Sequence, residues 1–309
     1  MNKQISASAC GKIILFGEHA VVYGRPAIAV PVTQVQATAT IKPSDHGLTI
    51  HAADIDRAIA VDAANPIDPL VSIVNLTLEH LNCLPPAVTI AVHSTIPIAS
   101  GLGSGAAVST AIVRALAQWF DARLDNAEVN ALVYEVEKIY HGTPSGIDNT
   151  VIAYQQPVYF VRGQPTQTFA VARPFKVAIG NTGVASSTKI TVGDVRKGWE
   201  NDRARYEAWF DRIGAIVQQA RSAIESGTIE QLGSLLDQNQ VLLRDLDVSS
   251  SELERLISAV KHAGASGAKL VGGGRGGNMI ALVDDHNVEA VTTALKEAGA
   301  VSIIVTEIR

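Results

Sequence analysis

Residues 97–107 read PIASGLGSGAA and run directly into VSTAIVRALAQWF (108–120). Glycine lets the backbone turn tightly and approach a ligand closely. A helix start leaves N–H groups without intrahelical acceptors and carries partial positive charge. Glycines placed just ahead of a helix therefore describe an anion site, most often one for phosphate. A tight strand-to-helix turn with no ligand fits the same letters, and both readings stand at this point. Ser104 lies where its hydroxyl would cap the helix or reach a phosphate-bound Mg²⁺. The stretch is not a Walker A loop, because no G-x-x-x-x-G-K-[ST] string occurs in the chain.

The patterns on either side set the fold class. After the turn, Val108, Ile112, Leu116 and Trp119 fall on one face of a helix. A second helix is expected over Asn126–Tyr140, with the stripe Val129, Leu132, Val133, Val136 and Tyr140. Before the turn, AIAVPVTQVQATATIK (27–42), LTIHAA (48–53) and AVTIAVHSTIP (87–97) read as strands, and PLVSIVNLTLEHL (69–81) reads as a helix. HGTPSGIDNT (141–150) breaks the helical pattern as a loop, and VIAYQQPVYFV (151–161) reads as a return to strand.

A polar stretch at PTQTF (165–169) marks a domain boundary near residue 170, so domains of 1–170 and 171–309 are expected. Beyond it come a strand at PFKVAIGN, two long helical patterns near 195–225 and 228–245, and a capping box with Ser249 as N-cap and Glu252 at N3. Val248 and Leu253 fit a hydrophobic staple, and Gly264 is a good stop for that helix. The chain closes with GAKLV, GGGRGG (272–277), NMIALV, a helix over 287–298 and VSIIVTEI. Gly272, Gly274 and Gly277 satisfy G-x-G-x-x-G, but a strand pattern follows where the dinucleotide fingerprint needs a helix. The cluster reads as a bend between strands or as a second wall of a phosphate site. Strands then helices, followed by mixed elements, favour α+β over a doubly wound sheet.

Composition narrows the function. The 309 residues are 47% hydrophobic and 18% charged, with net charge −5, which advertises no basic surface for nucleic acid. Cys10 and Cys83 are the two cysteines, too few for a disulfide framework or a thiolate metal cluster. The first residues do not read as a signal peptide, and no window of about 18 apolar residues suggests a membrane span. A cytoplasmic protein is expected.

Several polar residues do not fit packing alone. Lys12, Glu18 and His19 surround the apolar segment of GKIILFGEHAVVYG; taken singly, each also reads as an ordinary surface or hydrogen-bonded residue. Glu137 falls on or beside an apolar stripe, where a carboxylate needs a partner or a metal. Asp148 sits in a loop held between rigid elements, a common place for catalytic groups. Phosphoryl transfer needs a phosphate cradle, a metal ligand set, a positive group and a residue that orients the acceptor. Residues 97–107, Ser104 with Glu137, Lys12 and Asp148 supply those parts.

Three strings carry a family resemblance: ACGKIILFGEHAVVYGRPAIA (9–29), PIASGLGSGAAVSTA (97–111) with EKIYHGTPSGIDNT (137–150), and AKLVGGGRGGNMIAL (268–282). The chain resembles the GHMP kinases, and within them the branch whose acceptor is (R)-mevalonate. The resemblance implies a ribosomal-protein-S5-like N-terminal domain, a ferredoxin-like C-terminal domain and an active site in the cleft between them. It implies ATP-dependent phosphorylation of the C5 hydroxyl, with Mg²⁺ as cofactor and a homodimer as the assembly. By resemblance, Pro97, Ser100, Gly101, Leu102, Gly103, Ser104, Gly105, Ala106 and Ala107 bind ATP; Ser104 and Glu137 bind Mg²⁺; Asp148 and Lys12 are catalytic; and Lys12, Glu18, His19, Asp148 and Thr188 face the substrate. Two departures stand out. Cys10 replaces the family's usual proline, and Arg275 interrupts what is commonly an all-glycine run after the alanine. That arginine is expected to reach a phosphate or to face solvent. A sister enzyme on the same fold, or a non-catalytic sensor, are the alternatives; the FGEHAVVYG and HGTPSGIDNT strings argue against the first, and the presence of Lys12, Ser104, Glu137 and Asp148 against the second.

Overall fold

The computed structural model describes residues 3–61, 65, 67–97, 101–141 and 144–309. The chain divides into two compact units: 1–12, 35–98 and 102–155 form the first, and 13–34, 99–101 and 156–309 form the second. Strands β1 (Ile5–Phe16) and β2 (Ala27–Pro43) each contribute residues to both.

In the first unit the strands run in the order β4 (Arg57–Ala60), β3 (Thr49–Ala52), β5 (Val88–Ser94), β2, with β1 also paired to β2. β2 with β5 and β3 with β4 are antiparallel, and β3 with β5 is parallel. Among the described residues this unit holds four α-helices: α1 (Pro69–His80), α2 (Ser104–Trp119), α3 (Asn126–His141) and α4 (Ile147–Tyr154). The stripe expected on α2 is only part of its buried surface. Ala106, Ala107, Ala111, Ala115 and Ala117 are buried along with Ile112 and Leu116, so small side chains let neighbours close around most of the helix, while Val108 and Trp119 are half-buried. On α3, Val129, Leu132, Val133 and Val136 are buried as the spacing predicts, and the side chain of Tyr140 lies outside the described residues.

One expectation fails here. Residues 151–154 are not strand but the end of α4, and Asp148 sits in the first turn of that helix rather than on a loop. Gly146, at φ 91°, turns the chain into α4. Val151, Ile152 and Ala153 are fully buried, so tertiary burial overrides the β-preference of Val and Ile.

In the second unit β8 (Phe175–Asn181), β9 (Gly267–Val271), β10 (Asn278–Val283) and β11 (Ser302–Ile308) form an antiparallel sheet ordered β11-β8-β10-β9. Strand order four-one-three-two, with helices between the first and second and between the third and fourth strands, is the ferredoxin-like arrangement. The first crossover is enlarged to four helices: α5 (Thr188–Asn201), α6 (Arg203–Ser226), α7 (Glu230–Asp245) and α8 (Ser251–His262). The second is α9 (Val288–Glu297). The first half of β2 pairs with β6 (Val158–Phe160), which pairs with β7 (Gln167–Thr168).

The helical pattern near 195–225 is two helices. Asp202, at φ −139°, ends α5 and caps α6 by accepting from Arg205 N–H. The predicted cap of α8 moves by one residue: Ser250 accepts from Leu253 N–H, because the Ser249 hydroxyl donates instead to Glu254 at 2.6 Å. Ser104 does not cap α2 either; Gly103 holds the N-cap position and Ser104 is the first helical residue.

Candidate active site

In the first unit the site is built around a buried lysine. Lys12, on β1, is 3% exposed. Its backbone N–H donates to Leu102 O at 2.9 Å, tying the strand to the glycine turn. Its side-chain stem lies against Gly103: a Cβ there would come within 3.0 Å of Lys12 Cγ and 2.8 Å of Ile152 Cδ1, and Gly103 has φ +77°. Only glycine satisfies both the left-handed backbone and the close approach. A buried ammonium requires an anionic partner, and Lys12 Nζ finds it in Asp148 Oδ1 at 2.8 Å.

Asp148 owes its position to its neighbours. Asn149 Nδ2 donates to Asn130 Oδ1 at 2.6 Å, and Thr150 Oγ1 donates to Gly146 O at 2.6 Å. These bonds fasten α4 to α3 and close the first turn that carries the aspartate. Arg114 of α2 donates to Ala153 O at 2.8 Å and to Ser8 O at 3.3 Å, joining the far end of α4 to α2 and β1. Asn130 and Arg114 were not singled out in the sequence reading, because a lone Asn or Arg in a helix carries no local signature.

Glu137, on α3, is also 3% exposed. Burial pushes its carboxyl up to about 7, the Asp148 carboxylate pushes the same way, and Lys12 partly opposes both. A buried carboxylate crowded by a second one is where a cation relieves charge. No cluster of three or more His, Cys, Asp or Glu side chains occurs among the described residues. A hard cation that keeps most of its waters needs no such cluster and takes few protein oxygens. Glu137 is a buried carboxylate of the type such a cation takes. The N–H groups of the first turn of α2 face out of the helix end as an anion cradle. Ser104, Gly105, Ala106 and Ala107 form that turn, Gly103 is its N-cap, Gly101, Leu102 and Pro97 precede it, and Ser100 lies outside the described residues.

In the second unit Glu18, His19 and Thr188 gather near the β9–β10 turn. Glu18 is buried and pairs with Lys269 Nζ, itself fully buried on β9, which also donates to Leu270 O at 2.6 Å. His19 has φ 60° and ψ −51°, and Ala20 N–H donates to Glu18 O at 2.7 Å across it. This is a γ-turn of the rare, strained hand. Such strain persists only where the surroundings over-determine it; here the Glu18–Lys269 pair and a hydrogen bond from His19 to Gly273 O at 3.1 Å do so. The carbonyl only accepts, so Nε2 carries the hydrogen and Nδ1 is a buried acceptor with no hydrogen-bond partner among the described residues. Burial pushes the imidazole down to about 4, with Arg275 and Lys269 contributing the same way, so the ring is neutral at neutral pH. Thr188 opens α5 next to its cap, Ser187, and a Cβ on Gly273 would lie 2.9 Å from Thr188 Oγ1. Lys269 was missed by the sequence reading because a strand lysine normally points to solvent.

Arg275 neither faces solvent alone nor projects as a free cation. Its guanidinium donates to Asp194 Oδ2 at 2.7 Å, to Asp247 O at 3.0 Å and to Asp247 Oδ2 at 3.2 Å.

A buried lysine paired with a half-buried aspartate beside a glycine-lined helix start is the layout of a small-molecule phosphotransferase, and comparison with known proteins agrees. Residues 69–156 match the GHMP kinases N terminal domain and residues 220–301 match the GHMP kinases C terminal domain. The chain belongs to the GHMP kinase family and has its two-domain α+β fold. Within that family it is 36% identical to the mevalonate kinase of Thermococcus sibiricus, covering 97% of this chain and 95% of the relative. It is likewise 36% identical to the mevalonate kinase of Pyrococcus abyssi, covering 98% and 96%. The crystal structure of L. major mevalonate kinase in complex with R-mevalonate superposes with a TM-score of 0.86 at 30% identity, covering 100% of this chain and 97% of that one. No helix among the described residues is long and apolar enough to cross a membrane.

Proposed function

We propose that this chain is an ATP-dependent mevalonate 5-kinase: it transfers the γ-phosphoryl group of ATP to the C5 hydroxyl of (R)-mevalonate and releases 5-phosphomevalonate and ADP. The observation that carries the chemistry is the contact of buried Lys12 with Asp148 at 2.8 Å. The substrate assignment is supported by the full-length likeness to mevalonate kinases.

In this reading the first turn of α2, with Pro97 and residues 100–107, cradles the ATP phosphates by its N–H groups and glycine backbone. Asp148 orients the C5 hydroxyl and accepts its proton as the new O–P bond forms and the bond to the ADP oxygen breaks. Lys12 keeps Asp148 in place and balances negative charge on the transferred group. Ser104 and Glu137 would hold Mg²⁺, which when bound would screen the charge of the phosphates. Glu18, His19 and Thr188 are the acceptor-side groups. A neutral His19 with Nδ1 as an open acceptor suits a hydroxyl and disfavours a second anion.

The test is ADP release from Mg·ATP on adding (R)-mevalonate, phosphomevalonate, galactose or homoserine, with the product identified by mass spectrometry. Release with mevalonate and a 5-phosphomevalonate product is expected. Release only with another acceptor would overturn the substrate; ATP binding with no release for any acceptor would overturn the enzyme assignment.

A further inference from the structure

Arg275 sits at φ 56°, a left-handed conformation that is strained for a non-glycine residue. Its flanking positions are glycines that no other residue could replace. A Cβ on Gly274 would lie 2.0 Å from Val248 O, and one on Gly276 would lie 2.5 Å from Val184 O. An arginine persists among them where glycine would be unstrained, so its side chain must offset the cost. The bonds that do so are directional. The guanidinium locks onto Asp247 through its carbonyl at 3.0 Å and its carboxylate at 3.2 Å, and Asp247 is itself left-handed at φ 57°. The remaining arm reaches across to Asp194 on α5.

Helix α5 needs such a tether. Of its fourteen residues only Thr191 and Val195 are buried, and Ile190 is 63% exposed. Two buried side chains hold a helix weakly, because helix stability in proteins comes mainly from packing an apolar face. The start of α5 carries Thr188, which rests on Gly273, and the carbonyl of Gly273 accepts the His19 hydrogen bond. A shift of α5 or of the glycine turn therefore moves both acceptor-side groups together.

We infer that Arg275 is a positioning residue: through Asp194 and Asp247 it latches α5 to the β9–β10 turn and so sets Thr188 and His19 for the acceptor, without touching it. This rests on the mevalonate kinase reading for the identity of the acceptor, though the latch itself does not. The Arg275 charge is also felt at His19, where it helps keep the ring neutral.

The test uses the full-length protein with Arg275→Gly, Asp194→Asn and the two combined. Arg275→Gly relieves backbone strain, so folding is retained. The expected results are an apparent KM for mevalonate raised about fivefold, an unchanged KM for ATP, and a double variant no worse than either single, as for residues acting as one unit. Arg275→Lys, which keeps the charge but not the fork, should recover part of the loss. Amide hydrogen exchange at Ile190 and Thr191, whose N–H groups bond Ser187 O, should quicken about tenfold in Arg275→Gly. A mevalonate KM within about twofold of the parent in Arg275→Gly overturns the proposal. If the parent protein does not turn over mevalonate, the substrate reading fails separately. The latch is then judged by exchange: quickened exchange at Ile190 and Thr191 supports it, and unchanged exchange overturns it.

Discussion

Lys12 Nζ lies 2.8 Å from Asp148 Oδ1, with the lysine stem lodged against the α-carbon of Gly103. One contact thus joins strand β1, the glycine turn and the first turn of α4. Asp148→Asn keeps the shape and loses the charge. Its kcat for mevalonate should fall by at least about 10²-fold, the scale of a lost general base, with ATP affinity nearly unchanged. Steady-state kinetics with nucleotide-binding measurements check this; near-parental kcat would remove Asp148 from the role.

The two left-handed glycines of the turn should differ sharply. A Cβ on Gly103 meets Ile152 and Lys12, whereas one on Gly101 meets nothing within 4 Å. Gly101→Ala should cost only the left-handed penalty of about 1 kcal/mol. Gly103→Ala should cost about 1–3 kcal/mol more through overpacking and should also depress kcat by displacing Lys12. Urea unfolding and kinetics of the pair read both effects, and equal losses at the two positions would contradict the account.

The Glu137 carboxyl, raised from 4.5 to about 7, makes a signed prediction. Between those values the folded protein holds a proton that the unfolded chain has lost. In metal-free buffer, stability from this group is therefore fully present below about 4.5 and is lost as pH rises towards 7. Glu137→Gln cannot ionise, so its stability relative to the parent should grow by up to about 3 kcal/mol between pH 5 and 7.5. Mg·ATP should bind the parent more weakly below pH 7, since the carboxyl must lose its proton to take a cation. Chemical denaturation at the two pH values, with and without Mg²⁺, tests both statements; a parent-to-variant difference independent of pH would refute them.

For His19 the sign is opposite. Its pKa is pushed down from 6.5 to about 4, so the stability it supports is present above 6.5 and is lost as pH falls towards 4. The pH–rate profile should show no limb from this histidine between about 5.5 and 8, because its ring stays neutral there. Replacing it with Gln and finding a limb removed from that range would show the ring titrating in the site.

Lys269 and Glu18 are both fully buried. Lys269→Met removes the buried cation beside the Glu18 carboxylate and should cost about 3–5 kcal/mol, while Lys269→Met with Glu18→Met should regain most of it. Thermal unfolding of the two variants makes the comparison. A double variant as unstable as the single would mean that the pair contributes through something other than its charges.

Much of this architecture was legible from residue order. The periodic segments at 27–42, 69–81 and 126–140 became β2, α1 and α3, and the GGGRGG cluster did form a bend between β9 and β10. The misses have physical causes. The Val and Ile of α4 were read as strand because β-preference is local, while burial chose helix. Asp202 was invisible as a boundary because the residues on both sides keep a helical pattern. The cap of α8 moved from Ser249 to Ser250 because Glu254 claims the first hydroxyl.

Backbone conformation and amphipathic spacing depend on neighbours a few residues away, so residue order alone sufficed for most element types, the glycine turn before α2 and the polar residues that packing cannot explain. It took three-dimensional packing to bring Lys12 to Asp148, to push the Glu137 carboxyl up to about 7, to pair Lys269 with Glu18, and to let Arg275 grip Asp194 and Asp247. Charge pairing and desolvation act through space over a few ångströms, and the chain's own spacing does not encode which distant residues will share them.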